Sequence, residues 1–383
     1  MFGRQFRLFR LLGFQVKIDL SWLIIFVLVT SSLAVGVFPR QYEGLSQATY
    51  WTMGVLAALG LFAAVVVHEF SHSIVARAGG MEMRGITLFI FGGVAEMDEE
   101  PPSAKTEFFM AIAGPIASLV IGAVCLGLWQ AGIANGWPTP VNGVLMWLGV
   151  INLVVMAFNL IPAFPLDGGR VLRALIWGIT GNLRRATRIA SSAGAAFGLF
   201  LIFMGIFRVF ATDQWLGGFW MGLLGLFLYG AAQQSYRQLI VRRLLEDEPI
   251  SRFMETNVQS VAASVTLQEF VDDYVYRHHY KMFPVTESPD TEGHGHLRGC
   301  MTTRQLQDVP REEWSDRRVE EVLQPCNEDN TIDAETDAID VMKKMQKTGS
   351  SRLLVTHNGD LRGIITQRDL MRLISLKLEL QDT

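Results

Sequence analysis

Charge is scarce in this chain. Only 18% of its 383 residues are charged, against about a quarter in an ordinary soluble protein. The shortage is local: long uncharged runs fill the first part, and from about residue 246 onward the sequence is polar and charged. That excludes a single soluble domain and predicts a membrane domain over 1–245 and a soluble domain over 249–383. Cysteine is also rare. Cys125, Cys300 and Cys326 have no metal-binding spacing, and Cys125 sits in an apolar run. No disulfide is needed, which fits a reducing, cytoplasmic setting for the soluble part. The net charge is only -4 and no basic cluster stands out, so nucleic acid is not an expected partner. Of seven histidines, only His68 and His72 precede residue 278.

Apolar runs predict about six membrane spans, near 18–38, 51–78, 107–133, 141–162, 189–211 and 214–235. The first is too long for a signal-peptide core and lacks a small-residue cleavage site, so it reads as a retained span. Before it, Phe2 to Phe14 mixes arginine with phenylalanine and leucine. That segment reads either as a piece lying in the membrane interface or as a basic flank that sets orientation. Basic residues alternate between the loops. They occupy the N-terminus (Arg4, Arg7, Arg10, Lys17), the region after the second span (Arg77, Arg84, Lys105), the region after the fourth (Arg170, Arg173, Arg184, Arg185, Arg188) and the tail (Arg237, Arg242, Arg243). The other loops hold only Arg40. The positive-inside rule then puts both termini and the soluble domain in the cytoplasm of a multi-pass protein of the cell membrane.

Within the second span stands His68-Glu69-Phe70-Ser71-His72. Two histidines four apart share a helical face and can hold one metal, while the adjacent glutamate can serve as base toward water. A catalytic zinc site needs a third protein ligand. Asp167 is the acidic residue expected deep in an apolar setting, in Asn159-Leu160-Ile161-Pro162-Ala163-Phe164-Pro165-Leu166-Asp167-Gly168-Gly169-Arg170. Pro162 and Pro165 break the helix there, and Gly168-Gly169 suggests a tight turn. Irregular backbone at membrane depth survives where protein buries it or where it lines a wet cavity. A carboxylate on such a break can face inward to a cation.

The tail contains a repeat. Leu297-Arg298-Gly299-Cys300-Met301-Thr302 recurs 64 residues later as Leu361-Arg362-Gly363-Ile364-Ile365-Thr366, each copy after a short hydrophobic strand. The pair resembles tandem CBS modules, over roughly 249–309 and 318–378. The resemblance implies a soluble α/β domain with a cleft for ATP, ADP or AMP, contacted by Thr366 and Asp369 in the second copy. In the first copy Thr302 is present but Gln305 stands at the aspartate position. It also allows a homodimer through these domains. The alternative is a structural module without ligand. The insert Thr291-Glu292-Gly293-His294-Gly295-His296 reads as an exposed polar loop, ahead of a metal role for His294 and His296.

The two membrane motifs together resemble the site-2 protease family of intramembrane zinc metalloproteases. With six spans and the CBS tail, the resemblance covers nearly the whole chain. It implies an α-helical polytopic membrane domain with short membrane-associated β-strands, and one Zn2+ per chain on His68, His72 and Asp167. Glu69 would be the general base. Asn159 would hold substrate or the oxyanion, or else cap carbonyls freed at the proline break. Gly114-Pro115-Ile116-Ala117-Ser118 matches the family's Gly-Pro segment, with no chemical role for Ser118. Ile86 to Gly93 reads as a strand edge able to pair with an extended substrate, or as a re-entrant hairpin. The implied substrate is a single-span membrane protein, cut in or near its span. Two other classes stay open: a CBS-gated transporter or channel, and an inactive metal-binding scaffold.

Overall fold

A computed structural model describes residues 5–11, 13–81, 83–89, 92–97, 100–212, 215–246, 248–287 and 295–381. The chain forms two compact units, Met1–Leu239 and Ile240–Thr383.

The first unit opens with a β-hairpin, not a helix. β1 (Gln5–Leu11) pairs antiparallel with β2 (Phe14–Asp19), turning at Gly13 with φ +90°. The sequence suggested an interfacial piece here, and Phe6, Leu8 and Phe9 are indeed exposed. Their partner is the neighbouring strand, however, and Phe2 lies outside the described residues. The first span then runs through α1 (Ser21–Ser31), a π-helical stretch (Ser32–Val37) and α2 (Phe38–Gln41).

α3 (Gln47–Ala78) carries the histidine pair. The Ser46 side chain caps its start by accepting from the Thr49 N–H at 3.2 Å, and Arg77 complements the dipole at its end. Its 32 residues extend about 48 Å, enough to cross hydrocarbon and continue beyond it. Next come β3 (Met83–Phe89) and β4 (Gly92–Met97), a hairpin that joins the N-terminal pair in one sheet of order β1-β2-β3-β4. β2 and β3 are parallel and the other pairings antiparallel. The strand expected at Ile86 to Gly93 is thus divided: Ile86 to Phe89 belong to β3, inside the sheet, and Gly92 and Gly93 begin β4, which with β1 forms its two edges.

α4 (Ala104–Ala134), α5 (Thr139–Asn159), α7 (Leu183–Thr212) and α8 (Trp215–Leu245) complete, among the described residues, six helices or helical stretches long and apolar enough to span a membrane. Between them α6 (Asp167–Thr180) is a shorter helix, absent from the sequence reading. Gly168 and Gly169 lie in its first turn, not in a turn of left-handed backbone. A Cβ on either would collide with the backbone of Leu160 to Phe164, so both are needed for close approach.

In the second unit the repeat is visible as topology. The first copy orders β5 (Val261–Ala262), α9 (Leu267–Glu269) leading through a π-helical stretch into α10 (Tyr276–His278), β6 (Met282–Thr286), β7 (Leu297–Thr302) and α11 (Thr303–Gln307). β8 (Gln324–Pro325) adds to its sheet edge. The second orders β9 (Thr331–Asp333), α12 (Ala338–Thr348), β10 (Arg352–His357), β11 (Asp360–Thr366) and α13 (Gln367–Gln381). In both, the short first strand runs parallel to the second, which pairs antiparallel with the third. Each copy has its own apolar core. His294 lies outside the described residues, and His296 is exposed with its Nδ1 3.7 Å from Asp360.

Candidate active site

The helical period of α3 places His68 and His72 one turn apart, and both are buried. α4 crosses them with Met110, Gly114 and Ser118 on one face, four residues apart in turn. The His72 Nδ1 lies 2.6 Å from the Met110 carbonyl oxygen, and the His68 Nδ1 lies 2.9 Å from the Ser118 hydroxyl. A carbonyl only accepts, so the His72 Nδ1 carries its proton and the Nε2 of the neutral ring presents a lone pair. Gly114 makes this approach possible: a Cβ there would occupy the space in front of both Nε2 atoms.

Asp167, the first residue of α6, brings its Oδ2 to 3.1 Å from the His68 Nε2 and 3.3 Å from the His72 Nε2, with the two Nε2 atoms 3.2 Å apart. Zinc bonds of about 2.0–2.1 Å at tetrahedral angles separate ligand atoms by about 3.3–3.4 Å. The three atoms thus form nearly one face of a zinc tetrahedron, and three electron-rich groups directed at one point call for a cation. The donor set fits zinc, and all three residues line a cavity.

That cavity measures about 670 Å3 and gathers His68, Glu69, His72, Asn159 and Asp167. Its apolar walls come from Phe89, Val154, Val155 and Phe158, and from Leu224 to Ala231 of α8. Gly93 of β4 abuts Glu69 so closely that a Cβ would stand 2.5 Å from the Glu69 Cγ. The edge strand therefore passes beside the expected base. Asn159, the last residue of α5, makes no side-chain hydrogen bond among the described residues and lines the cavity. It does not cap the carbonyls of the proline break.

Several groups escaped sequence reasoning. Ser118 touches a histidine. Arg170 lines the cavity. Glu107, at the start of α4, is buried more deeply than the part-buried Asp167: the Arg173 Nε donates to the Glu107 Oε1 at 2.6 Å, and Arg173 also pairs with Glu100 at 3.2 Å. Arg173, a loop charge by its place in the sequence, is buried where α6 packs on α4. A glutamate and an arginine 66 residues apart give no local signal of such pairing.

In the tail, Thr366 and Asp369 form a helix cap. The Asp369 Oδ2 accepts from the Thr366 N–H at 2.9 Å and from its hydroxyl at 2.6 Å. Gln305 reproduces this for Thr302, at 2.6 and 3.0 Å, so the glutamine preserves the cap. A cavity of about 590 Å3 is lined by Thr302 with Lys281, Lys347, Arg352, Ser350 and Ser351; Thr366 and Asp369 are not part of it. Cys300, on the same wall, is buried, and burial beside Cys326 pushes its thiol up to about 11.

The family model for peptidase family M50 matches residues 56–134 and 134–201, and that for the CBS domain matches residues 319–376, within the second repeat. A putative zinc metalloprotease of Synechocystis sp. is 34% identical over 372 residues, covering 97% of this chain and 95% of the relative. A zinc metalloprotease of Methanocaldococcus jannaschii is 32% identical over 381 residues, covering 98% of each. The solved site-2 protease from Methanocaldococcus jannaschii shares 30% identity at a TM-score of 0.42, covering 61% of this chain and 96% of that one.

Proposed function

Since the chain belongs to peptidase family M50, the site-2 family of intramembrane zinc metalloproteases, we propose that its membrane unit cuts a single-span protein in or near the span, using His68, His72 and Asp167 to hold zinc and Glu69 as general base. The protein is a zinc metalloendopeptidase of multi-pass membrane type. One observation carries the assignment of residues: three donor atoms at tetrahedral spacing, from the buried His68 and His72 and the part-buried Asp167, open onto one cavity that also holds Glu69 and Asn159.

The bound zinc supplies Lewis-acid activation of water and of the substrate carbonyl. Glu69 accepts the proton of the attacking water and returns it to the leaving amine. Asn159, whose side chain has no hydrogen-bond partner among the described residues, donates its amide to the developing oxyanion. A spanning helix must unwind before its carbonyl is accessible, and the edge β4 beside Glu69 offers a strand for the unwound segment to pair with. The test is cleavage of a single-span reporter in vesicles. Glu69→Gln should abolish cleavage while zinc content stays at one per chain; undiminished cleavage would overturn the assignment.

Residues 1–245 act as the protease domain and 249–383 as a CBS domain in this reading. The orientation rule puts both termini in the cytoplasm, so the cytoplasmic part of the substrate is released. The tail cavity, with Lys281, Lys347 and Arg352 among hydroxyl groups, has the chemistry of an adenine-nucleotide phosphate site. Nucleotide there would regulate the protease through the Arg237–Glu248 connection. Calorimetry with ATP, ADP and AMP tests this, and absence of heat with all three sinks it. CBS pairing would also make a homodimer, which light scattering would detect. A transporter or channel would need polar residues along several spans, whereas the cavity walls are apolar.

A further inference from the structure

α6 carries two arginines that end in opposite circumstances. Arg173 is buried and fully engaged by Glu107 and Glu100, with its guanidinium also 5.2 Å over the Phe164 ring. Arg170, three residues after Asp167, lines the catalytic cavity instead. Among the described residues its side chain makes no ion pair and no hydrogen bond. The carboxylate closest on its own helix, Asp167, is directed at the two histidines.

A guanidinium stays charged at any physiological pH and is costly to leave unpaired within a membrane domain. Glu69 and Glu107 lie near enough to feel its charge, but among the described residues no oxygen accepts from its N–H groups, which are left to an oxygen-bearing partner in the cavity. The substrate supplies one. Unwinding a spanning helix strips backbone carbonyls of their hydrogen bonds, and apolar walls offer them nothing in return. The planar fork of arginine suits two such oxygens at once.

We infer that Arg170 is a substrate-binding residue, donating to backbone carbonyl oxygens of the unwound chain beside the scissile bond. It anchors main chain, so it is indifferent to substrate sequence. It also explains how a site with largely apolar walls accepts an exposed peptide backbone. This inference rests on the proteolytic reading above and deepens it.

The test uses full-length protein in lipid vesicles with a reporter whose single apolar span is interrupted by a Gly-Pro pair. Arg170→Gln should raise KM about tenfold or more, the loss expected for hydrogen bonds to a charged group, with kcat changed far less. Arg170→Lys, which keeps the charge and loses the fork, should fall between. Zinc per chain and thermal midpoint should match wild type in both. In a Glu69→Gln background, reporter affinity should drop by the same factor on adding Arg170→Gln, a readout independent of turnover. Unchanged KM and affinity, a fall confined to kcat, or loss of zinc would each overturn the inference. Reporter cleavage that survives Glu69→Gln would instead overturn the proteolytic assignment beneath it.

Discussion

The Ser118 hydroxyl lies 2.9 Å from the His68 Nδ1, so a residue with no assigned chemistry holds one of the two ring ligands in orientation. Outer partners of metal-bound histidines fix ring orientation and tautomer, and losing one typically lowers metal affinity by about 10- to 100-fold. Ser118→Ala should weaken zinc binding within that range without changing the number of sites. Competition with a chromophoric chelator measures it. Unaltered affinity would mean that the Met110 carbonyl and helix packing alone position the pair.

Gly114 faces both Nε2 atoms. Gly114→Ala is among the smallest substitutions available, yet its methyl group would crowd both histidine nitrogens that face the metal position. The expected result is folded protein with far less than one zinc per chain by elemental analysis. Full zinc content would show that α4 can retreat.

Gly93 of β4 stands against Glu69 on the other side of the site. Gly93→Val should displace the carboxylate and cut kcat by more than tenfold while zinc content is preserved. Loss of metal together with activity would instead indicate collapse of the whole cavity.

The buried Arg173–Glu107 pair should matter for stability more than for chemistry. Removing one partner leaves a buried charge and costs roughly 3–5 kcal/mol, whereas replacing both by apolar residues is often neutral. Glu107→Leu or Arg173→Met alone should lower the thermal midpoint clearly, and the double variant should recover much of the loss. Additive losses in the double variant would argue against direct coupling.

In the tail, Lys377 donates to Glu248 at 2.6 Å and to the Leu244 carbonyl at 2.8 Å. The Lys377 hydrogen bond holds the Glu248 carboxyl below its ordinary range. A depressed carboxylate stabilises the fold above its unfolded pKa, near 4.3, and that contribution is lost as pH falls through the lower folded value. Amide exchange in α13 should therefore be slower in wild type than in Glu248→Gln at pH 6, and the difference should shrink below pH 4. A difference independent of pH would show that the ion pair contributes nothing.

The sequence by itself determined what rests on local pattern. Uncharged runs specified the spans, because hydrocarbon penalises charge wherever it lies. The four-residue spacing of His68 and His72 put both on one helical face. Pro162 and Pro165 marked the break before Asp167, and the repeated strands of the tail announced paired topology. The tertiary structure decided what depends on distant neighbours. The histidines find Met110, Ser118 and Asp167 at separations of 38, 50 and 99 residues. No periodicity records such meetings, because they depend on how closely α3, α4 and α6 pack. The same holds for the sheet: β2 reaches β3 across the first two spans, which leaves β4 rather than β3 at an edge. It holds again for the two arginines of α6. Their residue type and local setting are alike, and the position of Glu107 on another helix engages Arg173 while Arg170 lines the cavity.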